Sequence, residues 1–342
     1  MNGGTVNLKN KKVIVTGGAG FIGSELSRQL ATAGADVVIV DNLANGKREN
    51  VSEILSDRCC LEVADIRDRE RMSALVKGAD HVFHLACLGV RHSIHSPVEN
   101  HEVNAAATLH LLIAAREAGV SRFVYVSSSE VYGTAMHVPQ PEDHPTYPMT
   151  VYGAAKLAGE CYTRAFHRTY GFPTVVIRPF NTYGPRCHHE GDSGEVIPKF
   201  LLRTLANKPM VIFGDGTQTR DFTYVSDTAR GIIAAGLSDG AVGETINIGS
   251  GFELPIRELA EEVRAATGRS DARVIHEADR PGDVLRLYAD TTKAQGLIGF
   301  RPTVSLREGL GQLLAWYEAQ GKSPEQLLED EIVRNWETKK TE

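Results

Sequence analysis

The stretch VTGGAGFIGS, Val15 to Ser24, constrains the fold of this chain more than any other. It follows the β-branched run KKVIV, which reads as a buried strand, and it leads into SELSRQLATAGA. There Leu26 and Leu30 stand at i, i+4 and give a helix an apolar face. Gly17, Gly20 and Gly23 carry no Cβ, so the backbone can turn sharply and approach an anion closely. The unpaired N–H groups at the helix start, at Phe21 and Ile22, then point at that anion. The glycines are spaced G-x-x-G-x-x-G rather than G-x-G-x-x-G. Strand, glycine turn and helix together predict a diphosphate site.

A second strand, ADVVIVD over 35–41, ends in Asp41, 18 residues beyond Gly23. That is close to the ~20 residues expected for a carboxylate that binds the adenosine ribose of a dinucleotide. Its charge would repel a 2′-phosphate, so Asp41, with Asn42 beside it, favours NAD over NADP. Further strands are expected in CCLEVADIRD (ending at Asp65), HVFHLA (81–86), RFVYV (122–126), TVVIRPFN (174–181) and ETINIGSG (244–251). Helical patterns separate them, at MSALVKGA and over 104–118 among others. Strands alternating with helices predict an α/β fold, a Rossmann-type doubly wound parallel sheet. Beyond Asn181 the pattern loosens into a long polar loop and short elements, read as a smaller substrate-binding domain. The expected division is 1–180 plus about 222–250 for the dinucleotide domain, 181–221 and 251–320 for the smaller domain, and a helical tail over 321–342. That tail packs on the body or on a partner subunit.

Tyr152 and Lys156 stand at i, i+4 in VYGAAKLAGECYTRAF and share one helix face. A phenol is a poor base at neutral pH. A nearby ammonium and the positive ring of an oxidised nicotinamide favour its phenolate, which can take a hydroxyl proton while hydride leaves the same carbon. Ser128, after the fifth strand, is placed to hydrogen-bond that hydroxyl. Glu130 lies two residues on and, on an extended strand, would point to the same face.

These motifs together resemble the extended short-chain dehydrogenase/reductase family of NAD-dependent nucleotide-sugar epimerases and dehydratases. TGGAGFIGS, the strand-end Asp41, DIRD, HLA, SSSEVYG, YGAAK, RPFNTYGPR, GDGTQTRDFTYVSD and RPGD match the family's order from about residue 11 to about residue 317. The resemblance implies NAD, a transient 4-keto sugar, and return of the hydride later in the cycle. It implies a homodimer through two long helices, here 100–118 and 152–170. It places Asp65 and Ile66 against adenine, and His84, Leu85 and Ala86 along the NAD diphosphate and ribose. It assigns Ser128, Ser129, Asn181, Arg186, Arg220 and Arg286 to the nucleotide-diphosphate sugar.

Glu130 bears on which reaction follows. In the family, simple 4-epimerases frequently carry a serine, threonine or alanine there, whereas GDP-mannose-type 4,6-dehydratases and UDP-glucuronate decarboxylases carry a glutamate. Once C4 is a ketone the C5 proton is acidic, and a carboxylate can remove it before elimination. Dehydratases acting on dTDP-glucose carry an Asp–Glu pair, and Ser129 replaces that Asp. If water leaves C6, Glu130 would serve as both base and acid. Glu130 hydrogen-bonding a substrate hydroxyl is the competing reading. The reading leans to a 4,6-dehydratase on a UDP- or GDP-hexose; the 4-epimerase and the UDP-glucuronate decarboxylase remain alternatives. A simple alcohol dehydrogenase and a dinucleotide-sensing regulator are the other classes.

Net charge of −6 and the absence of a basic block argue against nucleic acid and anionic membranes as partners. No stretch is long enough to span a bilayer. Five cysteines without a C-x-x-C pair fit a reduced, cytoplasmic protein. The loop CHHEGD holds consecutive candidate ligands, which rarely converge on one ion, so no metal is expected. His92, His95 and His101 form a second loose cluster.

Overall fold

The structure, a computed structural model, describes residues 8–191, 193–279, 284–334 and 336. Its centre is a seven-stranded sheet built on β1 (Lys12–Thr16), β2 (Asp36–Asp41), β3 (Cys59–Val63), β4 (His81–His84), β5 (Arg122–Val126) and β6 (Thr174–Pro179), with Thr245–Ile248 as the seventh strand. The order is β3-β2-β1-β4-β5-β6-(Thr245–Ile248), and every pairing is parallel. β1 pairs with β2 on one side and β4 on the other, so the strand order reverses there. The loops after β1 and β4 diverge to opposite faces and leave a crevice at the carboxyl edge.

Strands buried on both faces explain the continuous apolar runs. Successive side chains leave β1 on opposite sides: Val13 and Val15 join Leu26, Leu30 and Ile232, while Ile14 joins Leu111, Leu112 and Phe166. Glycine-turn helix Phe21–Thr32 and helix Val225–Leu237 cover the first face. Helices Ala107–Glu117 and Val151–Tyr170 cover the second. A further apolar cluster gathers Ile197, Leu201, Ile212, Leu259, Val263, Leu313 and Leu328 beyond the sheet edge. Three two-stranded sheets accompany it, including Met210–Phe213 paired with Val274–Glu277.

Several elements differ from the sequence reading. β3 stops at Val63 and β4 at His84; Asp65 turns to accept from the Arg67 N–H at 2.8 Å, while the Leu85 N–H still donates to the Thr16 carbonyl of β1 at 3.0 Å. The helix expected over 104–118 is instead Pro97–His101, a π-helical Glu102–Ala106 and then Ala107–Glu117. There the Asn104 side chain brackets Leu88, accepting from its N–H at 2.9 Å and donating to its carbonyl at 2.8 Å. The helix expected in MSALVKGA starts earlier, as Arg69–Leu75, because the Asp68 side chain caps it through the Arg71 N–H. Among the described residues of the tail only Pro324–Leu327 is helical, and residues 335 and 337–342 of the expected helical tail lie outside the described residues. Ser323 and Gln326 form a capping box on Pro324–Leu327, a single turn, and the chain then runs along the body.

Candidate active site

A cavity of about 970 Å³ opens along the carboxyl edge of the sheet, from Asp41 past Ser128 to Phe213. The glycine turn shapes its floor. Gly17 has φ +69°, and a Cβ there would fall 2.7 Å from the Ala86 backbone nitrogen. A Cβ on Gly23 would sit 2.0 Å from the Gly17 carbonyl oxygen. Gly20 is the N-cap of the following helix and supplies no side-chain cap, so the first N–H groups face the cavity with Phe21 and Ile22. These donors and the absent side chains fit a bound diphosphate.

Asp41 ends β2 almost fully buried and accepts from the Ala19 N–H at 3.0 Å and the Leu43 N–H at 2.9 Å. Burial pushes its pKa up, and these backbone donors oppose that. Asn42 donates to Asp65 at 3.3 Å, while Arg67 grips the same carboxylate and, chiefly through that bond, holds its pKa down. Asn42, Asp65, Ile66, Leu85 and Ala86 all line the cavity.

His84 does not. It lies behind the site, with Nδ1 at 2.6 Å from Thr16 Oγ1 and Nε2 at 2.9 Å from Thr108 Oγ1. Burial, helped by the Lys156 charge, drives its pKa down to about 3, so the ring is neutral. Its place at the end of a strand buried on both faces explains the difference from the expected cofactor contact.

Close packing positions the reactive groups. Thr150 caps helix Val151–Tyr170 by accepting from the Gly153 N–H at 3.1 Å. A Cβ on Gly153 would meet the Glu130 carbonyl at 2.9 Å, and one on Gly159 would meet the Tyr125 hydroxyl at 2.3 Å. The helix therefore lies tight against β5 and the turn after it. Lys156, buried, donates through Nζ to the Val126 carbonyl at 2.6 Å and sits 4.7 Å from the Tyr125 ring centroid. Burial lowers its pKa, while nearby Cys87 and Glu160 work the other way. Burial raises the Tyr152 pKa strongly, and nearby Cys87 and Glu130 add to this; the Ser128 hydroxyl opposes it. Ser128, Ser129, Glu130, Tyr152 and Lys156 all line the cavity. Glu130 arrives by a different route from the one expected. Ser129–Val131 is a single 3₁₀ turn rather than strand, with Ser128 Oγ accepting from the Glu130 N–H at 3.2 Å.

Asn181 and Arg220 line the cavity beyond Tyr152. Asn181 Oδ1 is buried without a hydrogen-bond partner among the described residues, and Arg220 is braced by the Thr219 and Val284 carbonyls at 2.7 Å each. Two expected substrate contacts lie elsewhere. Arg186, at φ +70°, pairs with Glu25 at 2.6 Å and ties its loop to the glycine-turn helix. Arg286 forms a fork with Glu253 at 2.7 Å on the exposed side and does not reach the cavity. Arg280 to Asp283, the RPGD motif, and Asp192 lie outside the described residues.

Sequence reasoning missed several lining residues, among them three with titratable side chains. Cys87, directly after HLA, faces Tyr152 and Lys156. Glu195, before helix Val196–Leu205, is pushed up to about 8 by burial and the Glu190 charge. Glu331, in the tail, lines the far end. Cys87 is marked in sequence by following a strand end; the other two carry no local signal. Among the described residues no group of histidines, cysteines and carboxylates could hold a metal, and no helix is long and apolar enough to cross a membrane.

A doubly wound sheet with a glycine-turn diphosphate site and a tyrosine–lysine pair beside it defines a dinucleotide-dependent enzyme. Comparison with known proteins agrees. The profile of the family described as GDP-mannose 4,6 dehydratase matches residues 14–313. UDP-glucose 4-epimerase of Mycolicibacterium smegmatis is 37% identical over 310 residues, 90% of this chain and 98% of that protein. Among solved structures, UDP-glucose 4-epimerase of Thermotoga maritima with UDP-glucose is 34% identical with a TM-score of 0.85, covering 91% of this chain and all of that one. The dTDP-glucose 4,6-dehydratase of Streptomyces venezuelae with NAD bound is 36% identical with a TM-score of 0.85, covering 92% and 99%. The chain belongs to the extended short-chain dehydrogenase/reductase family of nucleotide-sugar epimerases and dehydratases, and it is an NAD-dependent enzyme. Its relatives include epimerases, 4,6-dehydratases and decarboxylases.

Proposed function

We propose that this enzyme oxidises a nucleotide-diphosphate hexose at C4 and completes a 4,6-dehydratase-type reaction, with Glu130 as the C5 base. The observation that carries the reading is the convergence of Glu130 and Tyr152 on one cavity wall, close enough for the Glu130 charge to act on the phenol. NAD, held by Gly17, Gly20, Phe21, Ile22, Gly23, Asp41, Asn42, Asp65, Ile66, Leu85 and Ala86, supplies the hydride acceptor and later the donor. Tyr152 takes the C4 hydroxyl proton, and Ser128 holds that oxygen as it becomes a carbonyl. Lys156, fixed to Val126, supplies a buried positive charge to the site and would help hold the cofactor. Glu130 then removes the C5 proton, now acidified by the ketone. With Ser129 beside it in place of a second carboxyl, the same Glu130 returns a proton to the departing C6 hydroxyl. Asn181 and Arg220 take the substrate diphosphate, Arg220 as a charged fork.

The test is incubation in D₂O with UDP-glucose, UDP-N-acetylglucosamine, UDP-glucuronate and GDP-mannose, followed by NMR and mass. Deuterium at C5 with loss of water is expected. A C4-inverted product without deuterium would replace the dehydratase reading by a 4-epimerase, and loss of CO₂ by a decarboxylase. The same reading makes the enzyme a homodimer through Ala107–Glu117 and Val151–Tyr170, which leave Ile113 and Tyr170 exposed; light scattering at working concentration should give twice the 37.2 kDa chain mass.

A further inference from the structure

The family profile ends at residue 313, yet the chain beyond it returns to the cavity. Leu328 is buried in the cluster with Ile197 and Leu201, which anchors the tail after its single helical turn. From there the described residues of the tail run along the cavity wall as a strap. Gly191 donates to the Asp330 carbonyl at 2.8 Å, Lys199 Nζ to the Ile332 carbonyl at 2.7 Å, and Arg334 pairs with Glu277 at 2.8 Å. Glu331 pairs with Arg203 at 2.8 Å with both side chains largely buried. Trp336 meets Phe213 edge to face, ring centroids 4.6 Å apart at 88°. Glu331, Val333 and Trp336 line the cavity together with Phe213 and Arg203.

The position of this wall identifies its ligand. The glycine turn and Asp41 serve NAD, and Tyr152 and Glu130 face the reacting hexose. The remainder of the substrate must run past Asn181 and Arg220, and Phe213 and Trp336 stand beside that path: Gln218, two residues before Arg220, donates to the Phe213 carbonyl at 2.7 Å, and Trp336 packs on Phe213. A nucleobase is planar and aromatic with polar edges, and a right-angled pair of aromatic rings offers it one face and one edge. We propose that the strap, through Trp336 and Glu331, forms part of the binding site for the nucleoside half of the substrate. Trp336 contacts the base, and Glu331 is a positioning residue that orients the Arg203 guanidinium in the site wall. This rests on the nucleotide-sugar reading given above, but not on which reaction follows.

Binding without turnover separates the two. UDP, GDP and dTDP are titrated by calorimetry into the NAD-loaded enzyme and into W336A, W336F, E331Q and E331D. For the nucleotide that the unaltered enzyme binds, W336A should weaken affinity about tenfold, with W336F within about threefold. E331Q should weaken it similarly, E331D should restore part of it, and in turnover the loss should fall on KM rather than kcat. NAD content should stay unchanged throughout. In a W316F background, Trp336 is the sole tryptophan, and its emission should change on nucleotide addition, a readout that needs no destabilising variant. Unchanged affinity in both W336A and E331Q, or a Trp336 emission indifferent to a nucleotide that binds, overturns the strap. An unaltered enzyme that binds none of the three nucleotides overturns the nucleotide-sugar reading itself, and the strap with it.

Discussion

Lys156 donates its ammonium to the carbonyl of Val126 at 2.6 Å, on the last residue of β5, rather than to the Tyr152 phenol four residues away. The cation is thereby pinned under the active edge of the sheet by the helix–strand contact that Gly159 makes with Tyr125. Tyr152→Phe should lower kcat by about 10²–10⁴-fold, the range for a lost general base. Lys156→Met should lower kcat as well and move the acidic limb of the kcat profile to higher pH. The sign follows from charge. Tyr152 works only deprotonated, burial already raises its pKa, and removal of a nearby cation raises it further. An unshifted limb in K156M would take Lys156 out of the acid–base unit.

Asp41 is both a lining group and a local brace, since its carboxylate accepts from Ala19 and Leu43 while facing the cavity. Asp41→Asn keeps the size and removes the charge. NAD affinity should fall about 10- to 100-fold, as for a lost charge-assisted hydrogen bond, and discrimination against NADP should shrink, because the repulsion of a 2′-phosphate disappears. Titration of both cofactors into cofactor-free protein measures this. An unchanged NAD/NADP preference would separate Asp41 from the ribose.

The sheet was legible because its signals are local: β-branched runs, the glycine turn at Gly17 to Gly23, and the acidic Asp41 at the end of the second strand. The tyrosine–lysine pair was legible because helical spacing alone puts the two on one face. Glu130 was found for a partly wrong reason, since a 3₁₀ turn and not strand alternation brings it to the cavity. Arg186 and Arg286 show the limit in the other direction. A motif places an arginine near a site, but the nearest carboxylate, Glu25 or Glu253, decides where the guanidinium goes. Glu195, Glu331 and Trp336 were invisible because long-range packing brings them to the cavity.

His84 gives the fold a pH dependence of its own. Its pKa falls from the ordinary 6.5 to about 3 in the folded chain, so between those values the unfolded chain binds more protons. The His84 contribution to stability is therefore complete above pH 6.5 and is lost as pH falls toward 3, with this residue contributing up to one proton, about 1.4 kcal/mol per pH unit. His84→Gln loses fit against Thr16 and Thr108 and should be less stable at pH 8, but its urea midpoint should fall less steeply between pH 6.5 and 4.5. Parallel slopes for the two proteins would show that His84 is not the titrating group.

The catalytic helix is held to β6 by a buried ion pair whose loss should be felt most at neutral pH. Arg178 grips Glu160 through two bonds of 2.9 and 2.7 Å, stacks 4.6 Å from the Tyr132 ring centroid and reaches the Glu142 carbonyl; Arg164 adds a second contact to Glu160. Burial alone would raise the Glu160 pKa, but the Arg178 guanidinium outweighs it and holds the value below 4.5. The Glu160 contribution is thus present above the unfolded value and fades as pH falls through the folded one. Arg178→Met reverses the balance. Glu160 stays buried with the partly exposed Arg164 as its remaining cation, and its pKa should rise. The cost should be about 3–5 kcal/mol at pH 7.5, the range for a buried charge stripped of its partner. The difference from the unaltered protein should narrow at pH 5, where protonation relieves the stranded carboxylate. Arg178→Met combined with Glu160→Leu should recover much of the loss at pH 7.5, because no buried charge remains. Urea melts of the three proteins at both pH values check this, and an equal cost at pH 5 and 7.5 would mean that lost packing on Tyr132, not charge, sets the effect.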